Sequence, residues 1–333
     1  MHKGVSVIIC CHNSEKVLPE TLRHLLKQKL TYPIDWEVII IDNGSNDWTK
    51  AVAEDEWSKQ NTTTSLRIIS EPRLGLSNAR RRGVEESIYD YIIFCDDDNW
   101  LCENYVQDVF TILDTNKSVG ACGGNGEPVC EGQKPQWLEK HAGAYAFGDQ
   151  GKETGKVEKG VFGLFGAGLS LRKNIITKLY ALGFESLLSD RKGNSLSSGG
   201  DSELTYLISI LGYELWSSPL LRYKHFLQTN RLNRAHLMKL NYGIGSSAPM
   251  LLVYRIIQLN QVNSINSNWS FQLIKSFVHL IYNFVFPPIK GERKVFFNRY
   301  KGNVKAMWDM KNKWKSSIDY ILAIRVEYLK NEK

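Results

Sequence analysis

Three consecutive carboxylates, Asp96, Asp97 and Asp98, close a short apolar run from Tyr91 to Cys95. Side by side they repel one another unless a cation sits among them. A hard divalent ion, Mg2+ or Mn2+, bound through oxygen and carrying substrate phosphates, relieves that repulsion. The run before them reads as a buried strand. The carboxylates therefore fall at the carboxyl end of a sheet, where open α/β folds hold ligands. A solvated acidic loop is the plainer reading. The strand before the triplet and Trp100-Leu101 after it favour the metal.

Three more segments point to the same edge. One strand ends in Cys10-Cys11-His12-Asn13-Ser14-Glu15, and another in Asp42-Asn43-Gly44-Ser45-Asn46-Asp47. A basic helix opens with Gly75-Leu76-Ser77-Asn78-Ala79-Arg80. In a parallel sheet these strand ends lie side by side. Together they offer carboxylates for a metal and for ribose or base edges, and an Arg whose planar fork can meet a phosphate. That set describes a nucleoside-diphosphate site with a bridging metal. No G-x-x-x-x-G-K-[ST] phosphate loop occurs, which disfavours a kinase-like use of the same carboxylates.

The elements that position these residues alternate. Val5 to Cys10, Glu37 to Ile41, Leu66 to Ile69 and Tyr91 to Cys95 read as strands. Between them lie a helix with a Val17, Leu18, Leu22, Leu25, Leu26 stripe, capped by Asn13 or Ser14, and the basic helix Ser77 to Ser87. Such alternation predicts a doubly wound, Rossmann-like α/β fold with a mostly parallel sheet. Residues 120–168 are rich in Gly and read as a long functional loop or lid. Strands are expected at Gly163 to Leu171, Glu214 to Trp216 and Leu220 to Tyr223, and helices at Lys173 to Leu182 and Asp201 to Leu211. Beyond Asn230 the pattern is helical. The expected division is residues 1–228 as a catalytic domain, with a nucleotide-binding half at 1–100 and an acceptor-side half at 101–228, then a C-terminal helical extension over 229–333.

Composition sets outer bounds. The chain has 333 residues, 43% hydrophobic and 23% charged, enough for one large or two modest globular domains. A net charge of +7 suits an anionic substrate or an anionic membrane surface. No run of interleaved Arg and aromatic residues argues for nucleic acid. The six cysteines form no C-x-x-C pair, so a structural zinc is not expected and a reduced, cytoplasmic setting is. Met1-His2-Lys3-Gly4 leads directly into a strand, so no signal peptide is expected.

In that order and spacing, Asn13, Asp42 to Asp47, Gly75 to Arg80, and Asp96 with Asp98 resemble the family 2 glycosyltransferases of the GT-A fold. Gly166-Ala167-Gly168-Leu169-Ser170-Leu171-Arg172 is similar to that family's small-residue strand. Gly199-Gly200-Asp201-Ser202-Glu203-Leu204 is similar to its G-E-D-x-E-L segment. The resemblance covers residue 4 to about residue 228. It implies that Asp42 accepts from the nucleotide base and that Cys10 and His12 line the base pocket. It also places Asn13, Glu15, Asn78, Arg80, Asp96 and Asp97 on the donor side. Asp98 would hold the metal, with His225 as a second ligand, and Asp201 would be the general base. Trp137 and Glu203 are expected on the acceptor side.

Some of these residues have plainer uses. Asp42 and Asp201 suit helix caps, His225 a structural hydrogen bond, and Trp137 a packed loop anchor. Three departures from the pattern stand out: Asn43 replaces a frequent second Asp, Gly200 replaces the Glu of G-E-D, and His12 stands where Tyr is common.

The activity implied is inverting transfer of a sugar, with Mn2+ or Mg2+, from a nucleoside-diphosphate sugar, most commonly UDP-linked, to an acceptor hydroxyl. A growing surface polysaccharide or a lipid-linked saccharide is the acceptor class. The alternatives are a nucleotidyltransferase, or a carbohydrate-binding relative without activity. One segment lies outside the resemblance. Phe271 to Phe286 has a broad apolar face and a polar stripe of Gln272, Lys275, Ser276, His279 and Asn283, and Lys290, Arg293 and Lys294 follow it. It reads either as a helix packed on the catalytic domain or as one lying in the inner-membrane interface through residues 271–294.

Overall fold

The computed structural model describes residues 2–60, 62–159, 163–188 and 199–331. In chain order the elements are β1 (His2–Cys11), α1 (Leu18–Leu26), β2 (Trp36–Asp42), α2 (Thr49–Ser58), β3 (Ser65–Ser70), α3 (Leu76–Glu86) and β4 (Tyr89–Asp96). Next come β5 (Asn99–Leu101), α4 (Tyr105–Thr115), β6 (Val119–Cys130), β7 (Gly155–Lys156), β8 (Ser170–Arg172), α5 (Lys173–Ala181), α6 (Gly200–Ile210) and β9 (Glu214–Leu227). The helices α7 (Arg234–Gln258), α8 (Trp269–Val285), α9 (Arg293–Asp309) and α10 (Trp314–Lys330) complete it.

Nine strands form one sheet in the order β3-β2-β1-β4-β8-β6-β9-β5, with β7 paired to β9. The first four run parallel, as the alternating pattern requires. Val7, Ile8 and Ile9 of β1 and Val38 to Ile41 of β2 are fully buried, because helices cover both faces. Alternation splits them. Ile8, Ile39, Ile41 and Ile92 face one apolar cluster, and Val7, Ile9, Val38 and Ile93 face the other. The first cluster continues without a break into Met250, Val253 and Tyr254 of α7 and into Trp314, Ile318 and Ile321 of α10. The C-terminal helices therefore share a core with the sheet.

Several expectations need correction. The glycine-rich stretch 120–168, of which residues 160–162 lie outside the described residues, is not all loop: β6 takes up its first eleven positions. Its glycines obscure the strand because they are there for close approach. A Cβ on Gly124 would lie 1.6 Å from the Leu221 carbonyl oxygen, and one on Gly126 2.7 Å from the Tyr223 ring. The two short strands expected at Glu214 to Tyr223 are one 14-residue strand, with a register shift opposite Gly124 and Asn125. The strand expected over Gly163 to Leu171 is confined to Ser170–Arg172. Helix α1 takes no side-chain cap from Asn13 or Ser14; the Ser14 carbonyl accepts from Val17 and Leu18 N–H instead.

Helix α8 is turned inside out relative to an ordinary packed helix. Gln272, Ser276 and Asn283 are its buried residues, while Ile274, Val278, Ile281 and Tyr282 are exposed. Among the described residues no helix is long and apolar enough to cross a membrane.

Candidate active site

The parallel register sets the site. Cys10 pairs with Ile41 and with Asp96, and Cys11 with Asp42, so these positions share the carboxyl edge of the sheet. Burial pushes the Cys10 thiol up to about 12, against the pull of the Arg80 guanidinium. This thiol lines the edge and does not attack. Arg80, one turn into α3, lays its guanidinium 5.3 Å from the centre of the Phe94 ring.

Asp98 and His225 meet across the β5–β9 pairing. Asn99 is in register with His225, and Phe226 N–H donates to the Asp98 carbonyl at 2.9 Å. The His225 Nδ1 lies 2.7 Å from the Tyr145 carbonyl oxygen. A carbonyl can only accept, so Nδ1 carries a proton, and in the neutral ring Nε2 presents its lone pair. Nε2 is 3.4 Å from Asp98 Oδ2. A lone pair facing a carboxylate calls for a cation between them, and an imidazole with a carboxylate is a donor set that suits a divalent ion completed by phosphate and water. Backbone anchoring of the far ring nitrogen is the usual outer support of a metal-binding His. Among the described residues there is no cluster of three or more His, Cys, Asp or Glu suited to a metal, so substrate oxygens would complete the coordination.

A third residue, which the sequence reading missed, joins this pair. Arg231 Nη1 donates to Asp98 Oδ2 at 2.7 Å and lies 3.4 Å from His225 Nε2. It provides the positive charge that the two ligands call for. Tyr145, also missed, holds both partners: its carbonyl takes His225, and its hydroxyl donates to the Arg231 carbonyl at 2.9 Å. Neither lies in a motif. The only available signal was a lone Arg six residues after a candidate ligand.

Asp201 sits in the first turn of α6. Its Oδ2 accepts from Gly166 N–H at 2.7 Å and its Oδ1 from Ser202 N–H at 2.9 Å. The Gly166-Ala167-Gly168 segment is thus a loop moulded round this carboxylate. A Cβ on Gly166 would lie 3.0 Å from Asp201 Oδ2 and 3.1 Å from Arg80 Nη2, so Arg80 and Asp201 flank the same glycine. Asp96, at the end of β4, is half-buried.

Other expected donor residues spend their polar atoms within the protein. Asn13, with φ +58°, accepts from Asn46 N–H at 2.9 Å and donates its own N–H to Ser45. Glu15 accepts from Trp48 N–H at 3.1 Å. Both clamp the turn after β2. The Asp42 carboxylate accepts from Ser45 N–H at 3.0 Å within the turn after β2 and does not cap α2, which begins at Thr49. His12 is exposed, with Nδ1 2.8 Å from the Asn43 carbonyl. Asn78 donates to the Leu74 carbonyl at 3.2 Å at the start of α3. Asp97 accepts from Ser14 Oγ. Burial, then the neighbouring Asp98, raises its carboxyl to about 7.

Asn43 has its own reason to replace an Asp. Its Nδ2 donates to the Glu71 and Arg73 carbonyls, both at 2.8 Å, and its Oδ1 accepts from Gly75 N–H at 2.7 Å. A carboxylate could make only the last of these bonds.

The two residues expected on the acceptor side have packing partners of their own. Glu203 is 2% exposed and accepts from Leu187 N–H at 2.8 Å, from Tyr254 OH at 2.6 Å and from Ser186 Oγ. It ties α6 to α7 and to the segment after α5. Trp137 packs beside Tyr145 and His141 and under the Arg234 guanidinium, 5.2 Å away. This is the loop-anchor alternative.

A mixed, mostly parallel sheet that gathers Asp98, His225, Asp201 and Arg80 toward its carboxyl edge fits the GT-A fold of nucleotide-sugar transferases. The profile of Glycosyl transferase family 2 matches residues 6–179, and the chain belongs to that family. It is 36% identical over 100 residues to a cholesterol galactosyltransferase of Borreliella burgdorferi, over 30% of this chain and 26% of that protein. It is 28% identical over 123 residues to a poly-beta-1,6-N-acetyl-D-glucosamine synthase of Staphylococcus epidermidis, over 37% of this chain and 28% of that protein. The matches thus span about a quarter to a third of these relatives. Among solved structures, Staphylococcus aureus TarS 1–349 in complex with UDP-GlcNAc superposes with TM-score 0.53 at 16% identity, over 98% of this chain and 89% of that one. A Pyrobaculum calidifontis mannosyltransferase in complex with GDP-Man and Mn2+ gives 0.51 at 15% identity, over 100% and 89%. At these identities the likeness concerns the fold.

Proposed function

We propose that the protein is an inverting, metal-dependent glycosyltransferase that moves a sugar from a UDP-sugar to a hydroxyl of a surface polysaccharide or lipid-linked saccharide on the cytoplasmic side of the membrane. The observation that carries this reading is the convergence of Asp98, His225 and Arg231 at the sheet edge, with Asp201 and Arg80 around Gly166 at the same edge. Asp98 and His225 would hold the divalent ion, which stabilises negative charge on the departing phosphate oxygen. Arg80 and Arg231 supply fixed and exchangeable positive charge for the diphosphate. Asp201, oriented by Gly166 and Ser202 N–H, keeps lone pairs for an acceptor hydroxyl. It takes the hydroxyl proton as the new C–O bond forms at the anomeric carbon and the bond to the diphosphate oxygen breaks. One displacement inverts the configuration and needs no second carboxylate, in keeping with Gly200.

Residues 1–228 form the catalytic part of this reading, and residues 229–333 a helical extension built onto its core. The uridine base is favoured because the TarS structure holds UDP-GlcNAc; the mannosyltransferase with GDP-Man is the reason to test guanosine. A donor screen for metal-dependent release of nucleoside diphosphate tests the whole reading. Release from a UDP-sugar, dependent on Mn2+ or Mg2+ and on an added saccharide acceptor, is expected. Pyrophosphate release from a nucleoside triphosphate would instead establish the nucleotidyltransferase alternative.

A further inference from the structure

Helix α8 presents the wrong face to the protein. Gln272 and Asn283 are 4% and 7% exposed, while Ile274, Ile281 and Phe286, just past the helix end, are 63%, 65% and 63% exposed. The inward polar groups are satisfied. Gln272 Nε2 donates to the Asn266 carbonyl at 2.8 Å, Ser276 Oγ to the Gln272 carbonyl at 2.9 Å, and Asn283 Nδ2 to the His279 carbonyl at 2.8 Å. Turning this face inward therefore leaves none of these three donors unpaired. From α9, Phe297 packs edge-on against Phe284 with ring centres 5.4 Å apart, and extends the apolar surface. At 150–250 Å² per large side chain, eight half-exposed residues on α8 and its end present roughly 800 Å². A monomer's largest apolar patch is about 300–600 Å².

Charge identifies what covers it. Residues 269–316 hold ten Lys and Arg against two acidic residues, Glu292 and Asp309. Lys275, Lys290, Arg293 and Lys294 border the patch and are exposed. Arg293 lies 5.4 Å over the Phe284 ring, so its charge rides at the edge of the apolar face. A second copy would bring an equally basic rim against this one, and like charges facing each other disfavour association. An anionic lipid surface complements the rim and takes up the aromatic side chains at headgroup depth. At 17 residues α8 is about 25 Å long, short of the roughly 30 Å hydrocarbon core, and one of its faces is committed to the protein. It can lie in a bilayer surface and cannot cross it.

We infer that α8, with Phe297 and the basic segment after it, docks this protein flat on an anionic bilayer. The docked hairpin is joined to the site. Glu292, between α8 and α9, accepts from Arg234 and lies 3.6 Å from His141 Nε2. His141 belongs to the short helical turn Glu139–Tyr145, and Tyr145 holds His225. A saccharide on a lipid carrier would thus arrive beside the cleft; that consequence rests on the proposed activity, while the docking does not.

The test is flotation of the full chain with vesicles of phosphatidylcholine alone or with phosphatidylglycerol, at low and high salt. Wild type should float with the anionic vesicles, and high salt should release it. The pair Phe277→Glu with Ile281→Glu should weaken binding at least tenfold without lowering Tm, since both side chains are exposed. Lys290→Glu with Lys294→Glu should abolish the anionic preference. The inference is overturned if wild type stays unbound at low salt, if the first variant floats equally, or if that variant unfolds, which would make this face a packing face. A concentration-dependent dimer that the first variant loses, without flotation of wild type, would assign the patch to a second copy and also overturn it. Stabilisation by UDP with Mn2+, measured on the same proteins, reports the donor site separately: its loss with flotation intact would count against the transferase reading alone.

Discussion

Replacing Arg231 with glutamine separates a residue that merely neighbours the proposed metal ligands from one that holds their place. Arg231 Nη1 is 2.7 Å from Asp98 Oδ2, and the two side chains are only 20% and 16% exposed. A sheltered, charge-assisted hydrogen bond is worth about 1.5–3 kcal/mol. Glutamine removes the charge and leaves Asp98 beside Asp96 and Asp97, so a loss of about 2 kcal/mol is expected. An unfolding entropy of ~2.1 cal/mol/K per residue gives ~0.7 kcal/mol/K over the whole chain, so Tm should fall about 3 °C in chelator. In wild type a divalent ion held by Asp98 would have to displace the guanidinium; in Arg231→Gln it would not. At equal Mn2+ the variant should therefore gain about 3 °C more than wild type, against a gain of ~4 °C for a ligand at 100 times its Kd. Differential scanning fluorimetry in chelator and at fixed millimolar Mn2+ reads both values. Asp98→Asn is the second arm and should lose the Mn2+ shift and the transfer activity. Wild-type Tm in chelator together with an unchanged Mn2+ shift in Arg231→Gln would refute the reasoning.

Further outcomes follow from the same geometry. Asp201→Asn should keep near-normal UDP affinity by calorimetry and lose transfer by about two to four orders of magnitude; retained turnover would remove Asp201 from the reaction. Glu203→Ala strips the acceptor from Leu187 N–H, Tyr254 OH and Ser186 Oγ, and should cost about 3 kcal/mol, or about 4 °C. An unchanged Tm with a raised acceptor KM would restore Glu203 to the acceptor side. Gly124→Ala drives a methyl to 1.6 Å from the Leu221 carbonyl oxygen, where backbone must move; at least 3 kcal/mol of destabilisation by urea unfolding is expected, and a native midpoint would show that the β6–β9 contact is looser than described.

The first hundred residues were legible because burial on both faces writes strands as apolar runs, and short turns place polar residues directly after them. The edge holding Cys10, Asp42 and Asp96 follows from that alone. Strand β6 was not legible: backbone proximity to β9 selects glycine at Gly124 and Gly126, and glycine has no periodicity to read. Polar identity also concealed duty. Glu203 and Asn13 carry the residue types of a binding site yet answer buried or turn N–H groups, because a carboxylate or amide suits either task. Arg231 and Tyr145 were invisible for the opposite reason. Their roles depend on contacts across 133 and 80 positions of chain, which no local spacing records.

Tyr145 bears on how this enzyme could be re-engineered. The segment between β6 and β7 is an obvious target for exchange between relatives, since loops tolerate replacement better than strands. Yet its Tyr145 holds His225, the proposed metal ligand, through its carbonyl and Arg231 through its hydroxyl. A transplanted loop would therefore import its donor's geometry for both, and modular swapping in this region should alter the response to divalent ions unless Tyr145 and its backbone path were retained.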